Sequence, residues 1–255
     1  MTEQSFLGKT VLVTAVTGNV GESIAEYFLQ HGANVMLSFR RNEKVASALY
    51  VRLKKLSPHV SLCQCDLTCE FQIRFLIEST IGRFGGLNAV VNAAGSYPTH
   101  SLLSMSYHDW NSVMDDNLNS AFLLLQHSAN QMRKTGGGSI INIASLSATF
   151  PSREQSHYSS AKAALVMLTK AAAIELAPHN IRVNAISPGL VYRDGIEEAW
   201  PEGVKRWSKN CPLHRLVRPI DIAKTALFLS SMDADFITGQ NYIVDGGVSA
   251  VNPGA

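Results

Sequence analysis

Short apolar runs alternate with longer helix-patterned segments from one end of this chain to the other. Residues 10–14, 34–39, 60–65, 87–92, 139–144, 181–186 and 240–244 read as strands. Helical patterns fill the gaps: one carrying Ile24, Phe28 and Leu29 and stopped at Gly32, then 41–56, 71–82, a long one from Ser106 to the glycines at 136–138, 156–177 and 220–231. Strands apolar on both faces, each followed by a helix, form a parallel sheet covered on both sides. Right-handed crossovers wind such a sheet doubly. The expected fold is therefore α/β, a single Rossmann-type domain over residues 1–255 with about seven strands. Only about 190–215, with Tyr192, Trp200 and Trp207, lacks clear periodicity, and it reads as an inserted flap.

Composition narrows the partners. Twenty-two Lys and Arg against 20 Asp and Glu leave a formal charge of +2 over 255 residues, too balanced for a nucleic-acid or membrane-surface binder. No apolar stretch approaches the roughly 18 residues of a transmembrane helix. Met1 to Ser5 show no basic segment of a secretory signal, so the expected compartment is the cytoplasm. Cys63, Cys65, Cys69 and Cys211 do not make a standard zinc spacing, and no metal is expected; they read as buried, inert thiols.

In doubly wound sheets the ligand lies at the carboxyl ends of the strands, near the switch in strand order. The first such turn is Thr14-Ala15-Val16-Thr17-Gly18-Asn19-Val20-Gly21. Its glycines let backbone amides approach a phosphate, and the helix that follows favours negative charge. The second strand ends in Phe39-Arg40-Arg41, where an NAD-binding chain would carry an acidic residue. The fork of Arg40, backed by Arg41, suits a 2′-phosphate, which favours NADP(H) over NAD(H). Alternatively, both arginines are the solvated start of a helix.

Tyr158 and Lys162 stand four apart on one helix and share a face. An ammonium near a phenol favours the phenolate, moving a pKa near 10 toward working pH. Tyr50 and Lys54 repeat the spacing, but only Tyr158 has a strand-end serine, Ser145, thirteen residues before it. Tyr50 reads as structural.

These pieces together resemble the short-chain dehydrogenase/reductase family, in its branch of about 250 residues. The matching residues are the turn from Thr14 to Gly21, Asp66-Leu67, Asn92-Ala93-Ala94-Gly95, Asn117, Ser145, Tyr158 with Lys162, Ser187-Pro188-Gly189 and Asp245-Gly246-Gly247. The resemblance implies an Asn117–Ser145–Tyr158–Lys162 tetrad that passes a hydride between a nicotinamide and a carbonyl or secondary alcohol. Tyr158 would exchange the proton, Ser145 orient the oxygen, Lys162 hold the ribose and depress the Tyr158 pKa, and Asn117 anchor a water. Asp66 would meet the adenine edge, with Leu67 beside it; Asn92, Ala93, Ala94 and Gly95 would support the adenosine. Pro188, Gly189 and Val191 would flank the nicotinamide.

Ala15 and Asn19 stand where the family carries glycines; asparagine tolerates a left-handed backbone, so Asn19 is expected to serve. Arg193 replaces a threonine that often meets the carboxamide, and either meets an acidic substrate or faces solvent. Ser96 to Pro98, 146–150, His157 and the flap are expected to wall the substrate, with Tyr97, Phe150, Tyr192 and Trp200 as its aromatic lining alongside Ser145. The closest-looking kin are 3-oxoacyl-carrier-protein reductases. Ala121, Leu124, Leu165 and Leu168 on the two long helices hint at assembly, and the family implies a homotetramer. A cofactor-binding regulator that has lost turnover is the competing reading, motivated by the altered turn and Arg193. A methyltransferase of related fold is a third, and would need neither Tyr158 nor Lys162.

Overall fold

Along each inner strand, successive side chains enter two different cores. Val11 and Val13 of β1 (Thr10–Val13) pack with Val35 and Leu37 of β2 (Asn34–Phe39) in one; Leu12 and Met36 enter the other. That is the period of two expected of strands buried on both faces. The first core is closed by α1 (Asn19–Gln30), α2 (Glu43–Leu56) and α9 (Pro219–Ser230), through residues such as Ile24, Phe28 and Ala226. The second is closed by α3 (Glu70–Phe84), α5 (Ser120–Met132) and α6 (Ser156–Leu176), through Ile73, Leu124 and Ala172. At about 25 cal/mol per Å² of apolar surface removed from water, these two layers are the main stabilising term.

The computed structural model describes residues 5–251. Met1 to Gln4, where the signal-peptide reading rests, lie outside the described residues. Among those described, seven strands make one sheet in the order β3-β2-β1-β4-β5-β6-β7, every pair parallel. The further strands are β3 (Val60–Gln64), β4 (Ala89–Asn92), β5 (Gly138–Ile143), β6 (Ile181–Pro188) and β7 (Asn241–Val244). The chain is thus one α/β domain of Rossmann type. Strand order reverses between β1 and β4, which opens a crevice above their carboxyl ends. No helix is long and apolar enough to cross a membrane among the described residues.

Three features depart from the sequence reading. The helix expected from Ser106 onward does begin at a capping box, with the Ser106 hydroxyl accepting from the Asp109 amide at 3.1 Å. It is not one regular helix: α4 (Tyr107–Met114) and α5 are joined by a wider turn with i→i+5 hydrogen bonds over Asp115–Asn119. The helix after β2 starts at Glu43 rather than at 41, because Asn42 is left-handed at φ 61°. The stretch at 190–215 holds two short helices, α7 (Ile196–Ala199) and α8 (Pro201–Asn210), the second opened by a proline at its first position.

Candidate active site

The turn after β1 is fastened from beneath. Thr14 is buried, and its hydroxyl donates to Asn92 Oδ1 at 2.9 Å while accepting from the Ala93 amide at 3.1 Å. The Ala94 amide also meets Asn92 Oδ1, at 3.3 Å. Thr14 and Asn92 therefore position the turn rather than face the crevice. Ala15 has φ 53°, so the left-handed residue is Ala15 and not Asn19, which is simply the first residue of α1. The expectation for Asn19 is corrected on this point. Gly21 must be glycine: a Cβ there would stand 2.5 Å from the Ala15 carbonyl oxygen.

A left-handed alanine costs about 1–2 kcal/mol, part of which glycine would return as unfolded-chain entropy. Ala15→Gly is expected to stabilise the fold by about 0.5 kcal/mol, read as a raised urea midpoint at unchanged slope. A lowered midpoint would show that the turn is not strained.

The crevice is lined by Ala15 and Thr17 after β1, Ser38 to Arg41 after β2, Cys65 to Thr68 after β3, Ala94 and Gly95 after β4, and Asp116 and Ser120 across from them. Phe39 and Leu67 are themselves buried in the two cores, so they shape its walls from behind. Asp66 is a turn-former as well as a lining residue: Oδ1 accepts from the Thr68 amide at 3.0 Å and hydroxyl at 2.8 Å. Burial raises the Asp66 pKa, but those bonds and the charges of Arg40 and Arg41 outweigh it and hold the carboxyl below its usual range. Arg40 is held by Asp116 at 2.6 Å, and Arg41 is exposed. Asp116 and Ser120 had no signal in the sequence, because their approach to Arg40 depends on the fold.

Beyond Gly95 the four expected polar residues converge. A Cβ on Gly95 would lie 2.4 Å from Asn117 Oδ1 and 3.2 Å from Lys162 Nζ, so glycine admits both side chains to the backbone. Asn117 sits in the widened turn and donates from Nδ2 to the Ser96 carbonyl at 2.8 Å and the Val113 carbonyl at 3.0 Å. Its Oδ1 is buried with no partner. Widened helical turns of this kind concentrate at functional sites. Lys162 is buried and donates to the Ile143 carbonyl at 2.9 Å, and burial lowers its pKa from 10.5 to about 8.

Burial raises the Tyr158 pKa above the ordinary tyrosine value. The Ser145 hydroxyl, at the end of β5, is close enough to pull it partly back. The Lys162 ammonium lies 5.7 Å from the Tyr158 ring centroid and donates to the Ile143 carbonyl. Tyr50 and Lys54, by contrast, make a direct exposed hydrogen bond of 2.8 Å on α2, away from any strand end.

Of the expected substrate aromatics, Tyr97 meets the site, edge-on to Tyr158 with centroids 6.2 Å apart. Phe150 and Tyr192 are exposed. Trp200 packs over Gly203 and under the Arg206 guanidinium, a contact within α7 and α8. His157 is no part of an open wall: it is fully buried with its ring edge-on to His100 at 5.7 Å. Arg193 faces solvent. Gly189 gives room to Trp207, and Val191 bridges to Val217. Ala121, Leu124 and Leu165 are buried in the chain's own core, and Leu168 is half-buried against it. Cys65 is buried, its thiol pushed up to about 12, but Cys63 and Cys69 are only half-buried.

Residues 15–249 match the family model described as enoyl-(acyl carrier protein) reductase. The chain is 34% identical over 245 residues to the 3-oxoacyl-(acyl-carrier-protein) reductase FabG of Chlamydia pneumoniae, covering 96% of this chain and 98% of that one. The FabG of Chlamydia muridarum is 33% identical over 243 residues, with coverage of 95% and 98%. The FabG of Staphylococcus aureus is 32% identical over 240 residues, with coverage of 94% and 98%. The chain belongs to the short-chain dehydrogenase/reductase family and is an oxidoreductase of that family.

Proposed function

We propose that the protein is an NADP(H)-dependent reductase of carbonyl groups, with a 3-oxoacyl thioester as its substrate class. The observation that carries the reading is the convergence of the Tyr158 phenol and the Ser145 hydroxyl beside buried Lys162, at the carboxyl end of the sheet. A dinucleotide fits the residues present. Gly21 and Gly95 keep Cβ atoms out of the turn and the crevice floor, and the unpartnered Asn117 Oδ1 supplies a buried acceptor beside it. Thr17, Gly18, Val20 and Gly21 would hold the pyrophosphate at the start of α1, Arg40 or Arg41 the 2′-phosphate, and Asp66 with Leu67 and Ala94 the adenosine. Lys162 would hold the nicotinamide ribose, with Pro188, Gly189 and Val191 alongside. When bound, the nicotinamide supplies the hydride, and the protein supplies position and proton.

The residues of the chain then divide the work. Ser145 donates to the substrate oxygen and fixes its direction. Tyr158, protonated at neutral pH as an ordinary tyrosine is, gives its proton to the same oxygen as negative charge develops there. Asn117, held at Nδ2 by two carbonyls, keeps Oδ1 for a water that reprotonates the phenol.

The relatives' names point to 3-oxoacyl substrates and the family description to enoyl ones, so one assay decides. Rates at 340 nm are compared for a 3-oxoacyl and a 2-enoyl thioester of equal length, each with NADPH and NADH. The 3-oxoacyl thioester with NADPH is expected to be fastest. Faster enoyl reduction would sink the carbonyl reading, and tight cofactor binding without turnover would restore the regulator reading. Exposed Phe122, Met167 and Ile174 on α5 and α6 support assembly through those helices, which we read as a homotetramer. The four cysteines are free, which suits a cytoplasmic enzyme.

A further inference from the structure

Arg40 directly follows β2, and Asp116 lies in the widened turn between α4 and α5, 76 positions away. Nη1 donates to Oδ1 at 2.6 Å and Nη2 to Oδ2 at 3.4 Å, so each terminal nitrogen meets one carboxylate oxygen. Asp66 Oδ1 stands 3.9 Å from the same Nη1. The Asp116 side chain is 15% exposed and that of Arg40 36%. Both residues line the crevice. The Asp116 bond also raises the Arg40 pKa against its burial, so the guanidinium is charged throughout the working range.

We infer that Asp116 is a specificity-determining residue for the dinucleotide, because it competes with a 2′-phosphate for the fork of Arg40. The inference rests on the reading that a dinucleotide occupies the crevice with its adenosine ribose beside Arg40. A guanidinium fork grips a carboxylate or a phosphate through the same pair of donors, and one fork cannot grip both. NADP(H) must therefore take Arg40 from Asp116. NAD(H) carries no 2′-phosphate and leaves the pair intact. Asp116 accordingly narrows the preference that Arg40 creates, and the balance between the two sets how far NADPH is favoured.

The opposite role has the opposite sign. If Asp116 merely held Arg40 in a rotamer ready for phosphate, neutralising it would weaken NADPH binding.

The test is titration of the full-length protein with NADPH and NADH, followed by calorimetry, for wild type, Asp116→Asn, Arg40→Ala and the double variant. Asp116→Asn is expected to raise the NADPH-to-NADH affinity ratio about fivefold, the size of one partly exposed charge pair. Arg40→Ala is expected to lower that ratio about 20-fold, and the double variant to match Arg40→Ala. An unchanged or lowered ratio in Asp116→Asn, with Arg40→Ala still lowering it, overturns the competition and leaves the NADP(H) reading standing. A ratio raised by Asp116→Asn even without Arg40 overturns it also, since the carboxylate would then act on the phosphate directly. A ratio that Arg40→Ala does not move removes the cofactor reading itself. Should Asp116→Asn fail to fold, Asp116→Ser carries the same expectations, and its ratio decides in the same way.

Discussion

Replacing Tyr158 with phenylalanine is expected to lower kcat/KM for carbonyl reduction by about 10³-fold while dinucleotide affinity stays within about threefold. The substitution removes one oxygen and keeps the ring, so the edge-on contact with Tyr97 survives. It takes away the proton donor but leaves Ser145 to polarise the substrate oxygen. Oriented acid–base groups contribute about 10²–10⁴-fold, and residual turnover would come from positioning alone. The same phenol sets the pH dependence. Burial holds its pKa above the ordinary tyrosine value, so the wild-type reduction rate is expected to be flat through neutrality and to fall only on the alkaline side. The phenylalanine variant would lose that alkaline limb. Steady-state rates and cofactor titration check both parts; a loss under tenfold would mean that another group delivers the proton.

The sheet was legible because its evidence is local. Short apolar runs such as residues 11–13, 35–37 and 89–91 read as strands buried on both faces, and their alternation with helices points to a parallel order. The tetrad was read from resemblance and from Ser145 standing thirteen residues before Tyr158. What the sequence hid is long-range or subtle. Five residues of widened helix at Asp115–Asn119 leave no mark on a 3.6-residue periodicity. The Arg40–Asp116 pair joins residues 76 apart, which no window spans. Asn19 was the natural candidate for a left-handed backbone on propensity alone, yet the bend falls at Ala15, where the glycine-bearing motif places it and tertiary packing overrides preference. Spacing on a helix gives Tyr158 and Lys162 a shared face but not the direction of the ammonium. The Lys162 Nζ turns to the Ile143 carbonyl instead of the phenol. Trp200 lies against Gly203 three residues away, a contact invisible without the turn between α7 and α8.

Lys162→Met is expected to raise the stability of the fold at pH 7 by about 2 kcal/mol while costing at least about 100-fold in activity. The lysine is 4% exposed and its pKa falls from 10.5 to about 8, with burial as the cause. A drop of that size corresponds to roughly 3 kcal/mol of burial penalty carried by the charged form in the folded state. Losing the bond to the Ile143 carbonyl gives back about 1 kcal/mol of it. The sign with pH follows from proton binding. Below about 8 the lysine is charged in both folded and unfolded chains, and the full penalty stands. Between about 8 and 10.5 the unfolded chain binds the proton and the folded one does not, so wild-type stability recovers as pH rises. The gap between variant and wild type should therefore be widest near neutrality and shrink across that window, as read from urea midpoints at pH 7 and pH 10. A variant no more stable than wild type at pH 7, with a gap indifferent to pH, would show that the ammonium sits comfortably where it is. A stabilised, inactive variant would show that the buried charge is kept for function and not for the fold.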